Sequence, residues 1–96
     1  MTETAETRKT FKAVLQAKFK RYMREYIIKL RRDMGLSKER MAERLYIDVR
    51  SYSYIESGTY LCGFITFCAI LQICPDKEKL ISDLEEILSE AWNEAA

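Results

Sequence analysis

The stretch LSKERMAERLYIDVRSYSYIESG, residues 36–58, decides the fold, because it reads as two short helices joined by a tight turn. Ser37 stands where it caps a helix over 38–45, its hydroxyl accepting a first-turn amide that no carbonyl reaches. Asp48 stands where it caps a second helix over 49–56, and its charge also meets the positive end of the helix dipole. Gly58 supplies the left-handed residue on which helices often finish. Met41, Leu45, Ile47, Tyr52 and Ile55 are the apolar set within the unit, and Ala42 is the small residue that lets two helices cross closely.

Upstream, residues 11–34 contain no Gly or Pro. Phe11, Leu15, Phe19, Tyr22, Met23, Tyr26, Ile27, Leu30 and Met34 share one broad helical face there, which predicts one long helix or two with a kink. Its other side carries Lys20, Arg21, Arg24, Arg31 and Arg32. Residues 1–8 offer nothing to bury and are predicted to be disordered. Downstream, Pro75 and Asp76 open a C-terminal helix over 76–95, with Leu80, Ile81, Leu84, Ile87, Leu88, Ala91 and Trp92 on one face and the acidic residues on the other. That acidic helix is a natural partner for the basic first one. Between them CGFITFCAILQIC, 62–74, predicts a helix apolar all round. Phe64, Phe67, Ile70, Leu71 and Cys74 are expected to face the core, leaving Ile65, Ala69 and Ile73 as a second stripe with no evident partner. The whole reads as a single all-α domain, 1–96.

Over about residues 27–74 the chain resembles the phage repressor and Cro type of helix-turn-helix, also called the XRE type. The resemblance is carried by LRRDMGLS (30–37), by Ala42, by the apolar positions named above and by IESG (55–58). It implies an all-α, five-helix helix-turn-helix domain with an extended N-terminal helix and an amphipathic C-terminal helix. It also implies duplex DNA as partner, read as a homodimer by a transcriptional regulator. The second helix of the unit would then enter the major groove with Val49, Arg50, Ser51, Ser53 and Tyr54. Arg50 would make the bidentate contact to guanine. Lys38 would meet a phosphate, with Arg40, Thr59 and Tyr60 as further backbone contacts. Ile65, Ala69, Ile73, Leu84, Leu88 and Trp92 are the dimer-interface candidates. The sequence departs from the family pattern at three places. Tyr46 stands where a glycine is usual, so its φ is expected to be positive; Asp48 replaces a Ser or Thr cap; and Cys62 lies near the place of a proline.

Composition narrows the function classes. The net charge of +1 hides a split: residues 1–50 hold 14 Lys and Arg against 7 Asp and Glu, and 51–96 hold 2 against 8. A basic first half suits an anionic partner, while two helix faces of opposite sign attracting each other within the fold give the same pattern. There is no histidine, no phosphate-cradling glycine loop and no base near Ser51 or Ser53, so the chain is not expected to be an enzyme. No cofactor or metal is expected either. Cys62, Cys68 and Cys74 are odd in number, lack C-x-x-C spacing and are read as reduced, buried residues of a cytoplasmic protein. No run of about 18 apolar residues marks a membrane span. A protein-binding module, antitoxin-like or a phage-type inhibitor of a nuclease, is the alternative to DNA binding. It is favoured by a recognition helix with one basic residue, by the tyrosine-rich SYSY segment (51–54) and by the apolar helix 62–74.

Overall fold

Three consecutive helices end in the same backbone motif, and that repeated ending shapes the middle of the chain. The computed structural model describes residues 4–95, which form α1 (Ala5–Asp33), α2 (Lys38–Arg44), α3 (Val49–Glu56), α4 (Phe64–Ile73) and α5 (Lys77–Ala95), with no strand among them. After α1 the amides of Gly35 and Leu36 donate to the carbonyls of Arg32 and Arg31 at 3.0 and 3.1 Å. After α2 the amides of Tyr46 and Ile47 donate to Glu43 and Ala42 at 3.2 and 3.1 Å. After α3 the amides of Gly58 and Thr59 donate to Ile55 and Tyr54 at 3.1 and 3.0 Å. Each is a Schellman ending, which satisfies orphan carbonyls but requires a left-handed residue at its pivot. The pivots are Gly35 (φ 69°), Tyr46 (φ 60°) and Gly58 (φ 77°). The middle one therefore carries strain that the other two avoid.

The helix starts follow from local chemistry as well. The Ser37 hydroxyl accepts the Arg40 amide at 3.2 Å and the Asp48 carboxylate accepts the Ser51 amide at 2.7 Å. At the first helix, the Thr4 hydroxyl accepts the Thr7 amide at 3.0 Å. Residues 5–8 are thus helical where disorder was expected, because a threonine cap and an uninterrupted run of helix formers carry α1 back to Ala5. Residues 1–3 of that expectation lie outside the described residues. With no Gly or Pro to break it, α1 is one helix of 29 residues.

The described residues fall into two compact units. In the unit 20–75, Ile27, Met41, Leu45, Tyr52 and Ile70 are fully buried, and α2 packs on α3. Each such side chain stabilises by about 1.5–3 kcal/mol. In the unit formed by 4–19 with 76–95, Leu80 and Ala91 are fully buried. Phe11 and Trp92 meet edge to face with ring centres 5.3 Å apart. Lys18 reaches Glu94 at 2.9 Å and Glu90 at 3.8 Å, so part of the charge split is answered inside the fold. Those carboxylates are more than half exposed and such pairs contribute under about 1 kcal/mol, so the apolar contacts dominate. Among the described residues no helix is long and apolar enough to cross a membrane.

The α4 helix is rotated from the expected setting. Thr66, Ala69 and Ile70 face inward, with Cys74 buried just beyond the helix, while Phe64 is 81% and Ile65 76% exposed. At about 100° per residue, Phe64 and Cys68 lie opposite the stripe 66–69–70, so burying that stripe turns both outward. Ala69, expected at a dimer interface, is 4% exposed within its own chain and cannot serve there. Of the cysteines, all free, Cys74 is buried, Cys62 half-buried and Cys68 exposed, which corrects the expectation that all three are buried.

Tyr46 is 74% exposed, so its ring contributes little to set against the strain at φ 60°. Tyr46→Gly is expected to raise stability by about 0.5–1 kcal/mol, the left-handed penalty less glycine's extra unfolded-state freedom. Thermal melts of the two proteins check this, and a lower melting temperature for the variant contradicts it. Gly58→Ala should act the other way, losing about 1–2 kcal/mol. Its new Cβ would also sit 3.2 Å from Arg24 Cδ, whereas one at Gly35 meets nothing within 4 Å, so Gly35→Ala should melt at the higher temperature of the two. In native buffer a thiol reagent should modify Cys68 quickly and Cys74 only on unfolding, which mass spectrometry of digested protein resolves.

Candidate functional site

An eight-residue helix does not hold itself, so the direction α3 presents depends on what grips it. Tyr52, Ile55 and Glu56 form its buried face. Glu56 is clamped by Arg31 of α1: Nε donates to Oε2 at 2.9 Å and Nη2 to Oε1 at 3.0 Å. The remaining Nη1 donates to the Leu36 carbonyl at 3.1 Å. Arg24, two turns earlier, donates from Nε to the Glu56 carbonyl at 3.0 Å. One carboxylate thus ties the end of α3 to α1 and, through Arg31, to the turn that precedes α2. Burial alone would raise the Glu56 carboxyl, but the hydrogen bonds from Arg31, with Tyr52 and the Arg31 charge, hold it below the ordinary glutamate range. The hydrogen bond to Glu56 outweighs burial at Arg31 and raises its already high value. Burial, helped by the Glu56 carboxylate, pushes the Tyr52 phenol well up, although its hydroxyl meets no partner at hydrogen-bond geometry.

The rest of α3 is exposed in part. Val49 is 39% exposed, Arg50 and Ser51 are exposed, and Ser53 and Tyr54 are half-buried. Asp48 directs its carboxylate at the Ser51 amide, and that bond keeps its carboxyl below the usual aspartate value. Arg50 Nε donates to the Tyr54 hydroxyl at 3.2 Å, with the guanidinium carbon 5.9 Å from the ring centre. Tyr54 meets Tyr60 edge to face at 5.0 Å, and the Tyr60 amide donates to the Tyr54 carbonyl at 3.2 Å. The Ser57 hydroxyl donates to that same carbonyl at 3.0 Å and pairs with the Thr59 hydroxyl at 2.7 Å. Arg50, Tyr54, Thr59 and Tyr60, four of the residues expected to bind, are therefore joined in one local network.

The other candidates are placed separately. Lys38 and Arg40 are exposed in the first turn of α2, with Arg40 3.7 Å from Glu43. Arg40, Glu43, Arg44, Tyr46, Gln72 and Ile73 border an open concavity of about 730 Å³. Its rim is charged, unlike the apolar clefts that take small molecules. Among the dimer candidates Ile65 is exposed, Leu88 is 41% exposed and Leu84 and Ile73 are half-buried, whereas the Trp92 ring is engaged with Phe11 of its own chain. Among the described residues no three acidic or cysteine side chains are grouped to hold a metal ion.

Arg31 and Glu56 escaped the sequence reading as a pair. The sequence pattern places Arg31 on the basic side of α1, yet it stands four residues after Ile27 and one after Leu30, at the margin of the buried stripe. That position is the one signal that distinguishes it from Arg32.

Compared with family models, with curated proteins and with solved structures, the chain matches none.

Removing one partner of a buried pair leaves the other uncompensated, so Glu56→Ala should cost about 3 kcal/mol, and Glu56→Gln, which keeps an acceptor, about 2. The pH dependence has a definite sign. Because the folded-state carboxyl titrates below the unfolded value near 4.5, the pair's stabilisation is present above that value and is lost as pH falls through the lower folded one. Urea unfolding at neutral pH and near pH 3 should show the wild type converging on Glu56→Gln in acid, and a constant gap would refute the clamp.

Proposed function

We propose that this chain is a sequence-specific duplex-DNA-binding regulator of the repressor and Cro helix-turn-helix type, acting as a homodimer. The observation that carries the reading is the division of α3 into two faces. Tyr52, Ile55 and Glu56 root it in the fold, while Arg50 and Ser51 are exposed, Ser53 and Tyr54 are half-buried, and Val49 is partly exposed in the first turn beside the capped N-terminus. A helix so held can lay its first turns along base edges in the major groove. Arg50 is the cation among those outward residues and suits guanine, whose O6 and N7 accept a bidentate pair. The serines have hydroxyls for bases or phosphates, and Val49 has methyls for thymine. Lys38, exposed at the start of α2, supplies a sequence-independent phosphate contact, with Arg40, Thr59 and Tyr60 available beside the backbone. Asp48 brings a negative charge near the same surface, so affinity per monomer is modest and two copies are needed. Their recognition helices would sit about 34 Å apart to reach successive turns of the groove. Ile65 and Leu88, exposed apolar residues, are the candidates left for joining the copies.

A specific observation favours the second reading, a module that grips a protein. Tyr60, Leu61, Phe64 and Ile65 follow one another closely in sequence and are 58%, 36%, 81% and 76% exposed. Apolar groups left in water in this way mark many protein-binding surfaces. Substituting Phe64 by Ser should leave a DNA-binding protein able to bind, and should weaken the grip of a protein-binding one.

Fluorescence anisotropy on duplex DNA over a salt series separates the two. On the DNA reading, Arg50→Ala should cost about 1–3 kcal/mol on a preferred duplex and flatten discrimination among sequences. Lys38→Ala should weaken all duplexes alike and make the salt slope shallower by about one per site. Affinities that are weak and indifferent to both substitutions would exclude DNA as the partner.

A further inference from the structure

Resting on the DNA-binding reading, we propose that Tyr54 is a positioning residue that holds Arg50 so that only its terminal fork is free, committing the recognition helix to guanine. The guanidinium has two usable donor edges, one that includes Nε and one formed by Nη1 and Nη2 together. Nε is occupied by the Tyr54 hydroxyl at 3.2 Å, which leaves the terminal edge for a partner. That edge has the spacing for the O6 and N7 acceptors of guanine and presents no acceptor to an adenine amino group. The 5.9 Å between the guanidinium carbon and the ring centre is at the outer limit of cation–π attraction, so the hydroxyl, and not the ring face, does the holding.

The chemistry of the holder matters. A carboxylate would grip Arg50 more firmly but cancel the charge that draws it to DNA, whereas a phenol accepts one hydrogen bond and leaves the cation intact. Asp48, the nearest acid in sequence, has its carboxylate turned to the Ser51 amide. Tyr54 is in turn braced, because Tyr60 meets its ring at 71° and 5.0 Å and the amide of Tyr60 and the hydroxyl of Ser57 both donate to its carbonyl. The loop after α3 therefore fixes the tyrosine, and the tyrosine fixes the arginine. An arginine held in advance loses less rotamer freedom on binding, which is worth on the order of 3- to 10-fold in affinity. Tyr54 thereby becomes a support for the reading side chain in place of a base contact of its own.

The test begins with duplexes of about 20 base pairs, two turns of the groove, selected from a randomised pool by the wild-type chain. Three probes are then used: the selected duplex, the same duplex with 7-deazaguanine in place of its selected guanines, and a random duplex. Tyr54→Phe removes one oxygen and keeps the ring against Tyr60. The ratio of affinities for selected over random duplex should fall about 3- to 10-fold in Tyr54→Phe with its melting temperature unmoved. That fall should shrink on the 7-deazaguanine probe, which lacks N7, and should vanish when Arg50→Lys is already present, since lysine has no fork to orient. A Tyr54→Phe ratio equal to wild type, alongside a large loss in Arg50→Ala, overturns the positioning role and leaves DNA reading intact. An equal fall in the Arg50→Lys background also overturns it, by showing that the hydroxyl acts elsewhere. If selection enriches no duplex and Arg50→Ala changes nothing, the DNA reading itself has failed and the proposal falls with it.

Discussion

The bidentate ion pair between Arg31 and Glu56 is the interaction on which the presentation of α3 depends. It joins residues 25 apart in sequence, and both side chains are largely withdrawn from water, at 16% and 8% exposure. A pair in that setting adds little net stability compared with apolar packing, but it is costly to break and tolerates few geometries. Two parallel N–H···O bonds fix both distance and orientation. The third donor of Arg31 to Leu36 and the Arg24 bond to the Glu56 carbonyl extend the constraint to the first turn and to the last residue of α3. A short helix with little stability of its own is thereby given one direction.

Around this clamp the turns set the angles between helices. Three Schellman endings in succession close the carbonyls of α1, α2 and α3 with the same two bonds, and each needs a residue in the left-handed region. Glycine fills two of those places without strain. At the third the chain keeps Tyr46, exposed to water, and the cost is borne by the packing of α2 on α3, where Met41, Leu45 and Tyr52 are fully buried. Strain at one residue of roughly 1–2 kcal/mol is small beside the burial of several large side chains.

The exposed surfaces carry the functional readings, and they are chemically distinct. Along α3 the network of Arg50, Tyr54, Thr59 and Tyr60 is polar and pre-arranged. At the start of α4, Phe64 and Ile65 are apolar and in water. Arranged donors suit a ligand with a fixed pattern of acceptors, as base edges have, whereas exposed aliphatic and aromatic groups suit a partner that offers apolar surface in return. Both belong to one continuous stretch of chain, which is why DNA and protein partners are the two readings that remain in proposal.

What the sequence by itself determined is what local chemistry controls. The caps at Ser37 and Asp48, the left-handed Gly58 and the all-helical character follow from residues within a turn or two of one another, where side chain and backbone meet whatever the rest of the chain does. The setting of α4 was not legible, because a helix that is apolar on every side has no periodicity to choose a face. Only packing turned Ala69 inward and Phe64 out. The start of α1 is not legible in the sequence, because a threonine cap at Thr4 depends on the helix that follows it being long and stable. The pairing of Arg31 with Glu56 was decided by the tertiary structure alone, whereas the contacts from Tyr60 through Tyr54 to Arg50 are local to α3 and the loop after it. Charges far apart along the chain have no sequence signature of their distance, and only the packing of α3 on α1 brings Arg31 and Glu56 within reach.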